Sequence, residues 1–163
     1  FKVINKMSNE FKKLLVVSNS RTGSTNKLCI EAVAEIKKSN ASNIIAYSAD
    51  SLIAKAKDVI QADAIILGSS ENFGYMSGAM KVFFETIYYD VIEEKRGMPF
   101  GIIIKAGTSG IGAYNGIIKI TNALGWKEAI EPLIIVGSLT DLHLEQARLF
   151  GNTLAAGLEI GAY

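Results

Sequence analysis

Residues 17–27 read VSNSRTGSTNK, with five hydroxyl side chains between positions 18 and 25, one arginine and one glycine. They follow the apolar run Leu14–Val17 and precede a helical stripe of Leu28, Ala32 and Ile36. A strand that ends in hydroxyls and turns into a helix can surround an anion. The first backbone N–H groups of the helix have no partner within it, and its N-terminus carries partial positive charge. Gly23 permits the tight turn such a loop needs. The Lys-Ser/Thr ending of a nucleotide P-loop is missing, and one glycine stands where G-x-G-x-x-G needs three. A single phosphomonoester fits better than a pyrophosphate. Simple capping by Ser24 or Thr25 is the alternative, but a cap needs only one hydroxyl.

Two further stretches have unusual chemistry. Residues 69–85 read SSENFGYMSGAMKVFFE. Here Gly74 lets backbone approach a flat ring, Phe73 or Tyr75 can supply an apolar wall, and Ser77 can cap the next helix. Residues 105–116 read KAGTSGIGAYNG. Gly107, Gly110, Gly112 and Gly116 keep this backbone clear of side chains, Thr108 and Ser109 offer donors, and Tyr114 can stack or cover a ring. Alone, it would pass for a flexible loop.

Other residues offer less. Cys29 is the only cysteine and His143 the only histidine, so an internal disulfide is impossible and a zinc site is not expected. Cys29 reads as a small buried residue, His143 as a surface residue at the start of the last helix, and Trp126 as packing for a helix end. Glu93–Arg96 read as a solvated helix end. No nucleophile–base–orienter set is visible, which disfavours hydrolysis.

The elements that must position these loops alternate along the chain. Strands are expected at Leu14–Ser18, Asn43–Tyr47, Ala64–Ser69, Phe100–Lys105 and Leu133–Val136. Most are continuous apolar runs, as in a sheet covered on both faces. Between them lie stripes at helical spacing: Met80, Phe83, Phe84, Ile87, Tyr88, Val91 and Ile92, then Ile117, Ile120 and Leu124, then Ala147, Phe150, Leu154 and Leu158. A shorter helix is expected near Ser51–Val59. Alternating units of this kind make one parallel sheet with right-handed crossovers. Ligands then bind beyond the carboxyl ends of the strands, where all three unusual loops fall.

The chain has 163 residues, enough for one domain, and 49% are apolar. Its net charge of +1 provides no electrostatic reason to expect nucleic acid, an anionic membrane or an acidic docking face. No run approaches a membrane span. The start lacks the hydrophobic core of a secretory signal, so a cytoplasmic protein is expected. Residues 1–11 read as a disordered or non-native leader, Met7 as the native start, and 12–163 as one domain.

The loops also carry a resemblance. Ser20-x-Thr22-Gly23-x-Thr25 resembles the flavodoxin phosphate loop, T/S-x-T-G-x-T. The same stretch, as Arg21-x-Gly23-Ser24-x-Asn26, resembles that of NAD(P)H-dependent FMN reductases. Phe73, Gly74, Met76, Gly78, Met80 and Lys81 match P-T-Y-F-G-x-M-x-G-x-L-K of flavodoxin-like quinone reductases. Ser70-Glu71-Asn72 replace the Pro-Thr-Tyr of that pattern.

The resemblance implies a flavodoxin-like α/β three-layer sandwich with a five-stranded parallel sheet, order 2-1-3-4-5, and FMN across its carboxyl edge. It implies phosphate contacts from Ser20, Thr22, Ser24, Thr25 and Asn26, with Ser18, Arg21 and Gly23 also in the cofactor-binding loop. Glu71, Asn72, Phe73, Gly74, Tyr75 and Met76 would line the ring, with Gly107, Thr108, Ser109, Gly110, Gly112 and Tyr114 along its edge. It implies an oxidoreductase using NAD(P)H to reduce quinones, flavins or similar small acceptors, as a homodimer or homotetramer. A flavodoxin-type electron carrier and a domain that has lost FMN are the alternatives. Glu71 near a flavin would disfavour an anionic reduced ring if it pointed inward; otherwise it would face solvent or ribityl hydroxyls.

Overall fold

The computed structural model describes residues 11–38 and 43–163. The expected native start at Met7, and all of the expected leader but Phe11, lie outside them. The elements run β1 Lys12–Ser18, α1 Ser24–Lys38, β2 Ile44–Asp50, α2 Ala56–Ile60, β3 Ala64–Asn72, β4 Tyr75–Met76, α3 Gly78–Val91, β5 Pro99–Ala106, α4 Ile111–Ala123, β6 Lys127–Glu128, β7 Leu133–Val136 and α5 Asp141–Ile160.

The main strands are parallel, with β1 between β2 and β3, and β5 beyond β3. β6 pairs the start of β5 at Pro99 and Phe100, and β7 pairs its end from Ile103 to Ala106. The fifth position of the sheet is thus one edge strand in two pieces, separated by residues 129–132. The order 2-1-3-4-5 expected from the sequence is the order of the five main strands.

The unbroken apolar runs have a direct cause. Alternate residues of each strand point to opposite faces, and both faces are covered. Leu14, Val16 and Ile66 pack with Leu28, Ala32, Phe150 and Leu154 of α1 and α5. Leu15, Val17, Ile65, Leu67, Ile102 and Ile104 pack with Phe83, Phe84, Ile87 and Ile117 of α3 and α4. Trp126 is buried between Phe84 and Phe100, with ring centroids 6.4 Å from each.

Three boundaries differ from expectation. β2 runs Ile44–Asp50 rather than Asn43–Tyr47, and α2 occupies only Ala56–Ile60. β3 continues through the polar Ser70, Glu71 and Asn72, because Ser70 still pairs with Lys105 and the next two residues pair with β4. The two-residue strands β4 and β6 left no apolar pattern to find. Because β1, β3 and β5 are parallel, the segments after them, 19–23, 73–74 and 107–110, gather on one edge.

Candidate functional site: the carboxyl edge of the sheet

The first loop is built by short-range bonds. Gly23 has φ 87°, and its N–H donates to Ser20 Oγ at 3.0 Å. Asn19 Nδ2 donates to Asp50 Oδ2 at 2.8 Å, and Ser51 N–H donates to Ser18 O, so the end of β2 braces the loop. Sequence reading missed this Asn19–Asp50 pair, since nothing local links residues so far apart.

Helix α1 then starts with open donors. Lys27 N–H reaches Gly23 O at 2.9 Å, but among the described residues none accepts from the N–H groups of Ser24, Thr25 or Asn26. Thr25 is fully buried, and its Oγ1 has no hydrogen-bond partner. A buried hydroxyl without a partner costs free energy, so it marks a place where a partner belongs. Arg21, Thr22 and Gly23 are exposed above it. These residues fit a phosphate group: a glycine turn, unpaired N–H donors at a helix N-terminus and an unsatisfied hydroxyl.

Two first-loop residues point elsewhere. Ser18 and Asn26 line a small cavity of about 180 Å3 with Cys29 and Asp50. Asn26 Oδ1 is buried there without a partner. Burial pushes the Cys29 thiol up to about 12, against a weaker opposing effect from its Ser18 hydrogen bond. The thiol is therefore protonated and inert at neutral pH, as expected of a small buried residue.

The second loop is a hairpin. β3 and β4 pair antiparallel through Glu71–Met76 and Asn72–Tyr75, turning at Phe73 and Gly74, with φ 53° and 70°. Positive φ at both turn positions matches the twist of a two-residue hairpin, and a phenylalanine there is strained. Phe73 is fully exposed. Ser69, buried at the base of the hairpin, accepts from Ser77 N–H at 2.9 Å. Ser77 caps α3 by accepting from Met80 N–H, as expected.

The third loop is closed by the second. Glu71 Oε1 accepts from Gly110 N–H at 3.1 Å and from Thr108 Oγ1 at 3.3 Å. Its Oε2 accepts from Gly112 N–H at 2.9 Å and Ala113 N–H at 3.2 Å. Desolvation raises the carboxyl's pKa, but the bonds from Gly110, Ala113, Thr108 and Gly112 outweigh it and leave the group below its ordinary 4.5. The half-buried Glu71 carboxylate is therefore not free for a ligand; it caps α4.

Close backbone approach completes the clamp. A Cβ on Gly112 would lie 1.9 Å from Gly74 O, and one on Gly116 would lie 2.6 Å from the Tyr75 ring. These glycines let the hairpin lie on α4. Met76 is buried against the same helix, which makes it core rather than ring wall. Ser109 Oγ accepts from Ile111 N–H at 3.3 Å. Tyr114 does not cover the edge. Its hydroxyl donates to Glu128 Oε2 at 3.1 Å, and it borders a separate cavity beside β6, β7 and α5. That placement follows from its position on α4 behind the hairpin. Thr140 caps α5 by accepting from His143 N–H, and His143 Nδ1 accepts in return from Thr140 N–H at 3.1 Å. No group of metal-binding side chains occurs among the described residues. No described helix is long and apolar enough to cross a membrane.

No family model matches the sequence, and no curated protein matches it. Solved structures match in shape. A flavodoxin from the domain Archaea has TM-score 0.78 and 22% identity, over 90% of this chain and 98% of the other. A flavodoxin-type, WrbA-like protein from Agrobacterium tumefaciens has TM-score 0.72 and 19% identity, over 90% and 97%. A flavodiiron core from Synechocystis has TM-score 0.78 and 15% identity, over 93% of this chain but 37% of that one. These superpositions, with the strand order and the two helical layers, establish that the chain has the flavodoxin-like fold.

Proposed function

We propose that the chain binds FMN at the carboxyl edge of its sheet and is an NAD(P)H-dependent oxidoreductase acting on quinones, flavins or similar small acceptors. The observation that carries this reading is the start of α1, where the buried Thr25 hydroxyl and the N–H groups of Ser24, Thr25 and Asn26 have no partner. Thr25 and these donors would hold the phosphate, with Ser20, Thr22 and Ser24 around it and Arg21 adding positive charge. The Phe73 ring would offer apolar surface to the flat ring system. The N–H groups of Gly110 and Gly112 are taken by Glu71, so residues 107–109 would supply the third loop's contacts. Bound FMN supplies the electron-transfer chemistry, and the protein positions it and sets its surroundings. No side chain at this edge is assigned as acid or base. A homodimer or homotetramer completing the site across subunits belongs to the same reading.

The first test is the visible spectrum of the purified chain, before and after FMN addition and desalting. Retained flavin absorbance supports the reading, and complete loss together with unquenched FMN fluorescence defeats it. Oxidation of NADH or NADPH with a quinone acceptor then tests the enzyme.

A flavodoxin-type electron carrier is the second reading, and Glu71 favours it. A carboxylate held ionised at this edge disfavours a second negative charge on a reduced ring. Flavin retention without NAD(P)H turnover would select this reading.

A further inference from the structure

Between α3 and α4, on the face away from α1 and α5, lies a cleft of about 580 Å3. Its size falls in the range of about 300–1,000 Å3 usual for small-molecule sites. Tyr75, Tyr88 and Tyr89 line it, over a floor that includes the buried Phe84. Tyr88 and Tyr89 meet edge to face, at 5.3 Å and 85°. Tyr89 is 87% exposed, leaving its ring free for another partner. The wall of the cleft nearest the hairpin is the Tyr75 ring, seated against Gly116.

The charges in the cleft do not cancel. Lys81 is paired with Glu85 one helical turn on. Lys119 also lines the cleft, and among the described residues no carboxylate pairs with it. One positive charge is left facing three phenol rings. Flat aromatic walls select a flat aromatic ligand, and one uncompensated ammonium selects a single negative charge.

We propose that the α3–α4 cleft is a binding site for a planar aromatic monoanion, of the aryl carboxylate or aryl sulfonate class. The site is distinct from the phosphate-binding start of α1 and does not depend on FMN. It touches the carboxyl edge only through Tyr75, which belongs to the hairpin, so an occupant would rest directly on the hairpin.

The test is titration of the full chain with 1-anilinonaphthalene-8-sulfonate, followed by fluorescence and calorimetry. N-phenyl-1-naphthylamine serves as the uncharged analogue. One saturable site per chain is expected, with the sulfonate bound more tightly than the analogue. Lys119→Glu should weaken sulfonate binding about tenfold and leave the analogue unaffected. Tyr89→Ala should weaken both, by up to about tenfold. Both side chains are exposed, so the fold should survive, and Lys119→Gln should fall between wild type and Lys119→Glu. Leu149→Ala, in the other large cavity, should change nothing. Binding that does not saturate, that ignores both cleft substitutions, or that is lost in Leu149→Ala overturns the proposal.

Discussion

Helices α1 and α4 begin at the same edge of one sheet, yet their first turns are in opposite states. At α1 the N–H groups of Ser24, Thr25 and Asn26 have no acceptor among the described residues, and the Thr25 hydroxyl beside them is buried and unpaired. At α4 the N–H groups of Gly110, Gly112 and Ala113 all donate to Glu71. Both starts attract an anion for the same reason, the unpaired donors and the helix dipole. The difference is that the chain supplies its own anion to α4 and leaves α1 for something else. A glycine-rich loop at a helix start is therefore no indication of a ligand site until its donors have been accounted for.

Substitutions at the two starts should break or sharpen this contrast. The largest effect is expected at the closed one. In Gly112→Ala the new Cβ would lie 1.9 Å from Gly74 O, and backbone cannot yield as a side chain does. The hairpin should lift off α4 at a cost of about 3 kcal/mol, read by urea unfolding. Unchanged stability would mean that the hairpin does not rest on α4.

Thr25→Val should have effects of opposite sign on two properties. Removing an unpaired buried hydroxyl should stabilise the ligand-free chain, by about 2 kcal/mol, and raise its melting temperature. The same change should weaken FMN retention, because the hydroxyl is assigned to the phosphate. Stabilisation without loss of affinity would remove Thr25 from the site.

Glu71→Gln should cost about 1 kcal/mol, the usual worth of a helix cap, and the cost should depend on pH. The folded pKa lies below the ordinary 4.5, so the carboxylate stabilises fully above that value. Its contribution disappears as pH falls through the lowered folded value. The protection factor of the Gly112 amide, its exchange relative to the intrinsic rate at each pH, should thus fall in acid in the wild type, while Glu71→Gln should show little such dependence. Matching pH profiles would mean that Glu71 does not hold α4.

The smallest change is Phe73→Gly. It relieves a positive φ on an exposed residue, so the chain should gain up to about 1 kcal/mol. If the ring meets FMN as proposed, affinity should fall at the same time. A gain in stability with no loss of affinity would leave Phe73 as strain without a ligand role.

Much of the fold could be read in the residues themselves. The runs LLVV, AIIL and GIII report strands buried on both faces, and the stripe from Met80 to Ile92 reports the face of α3. The cap at Ser77 could be read because capping is local. The hairpin could not, since Glu71 and Asn72 look like the end of a strand and β4 has only two residues. Tyr114 looked available to a ring because it follows three glycines of the loop, Gly107, Gly110 and Gly112. Its partner Glu128 lies 14 residues on, in β6, and the residues between them give no hint of that contact.

The sequence by itself determined the order of elements, the two-sided burial of the sheet and an α1 start rich in donors. All of these follow from side-chain types and spacing over a few residues. Only the tertiary structure decided which helix start remains open. Glu71 is 39 residues from Gly110 in the chain, and the two meet because β3 and β5 lie side by side in register. A carboxylate's choice among solvent, a ligand and a distant backbone depends on that register, which no local pattern of residues encodes.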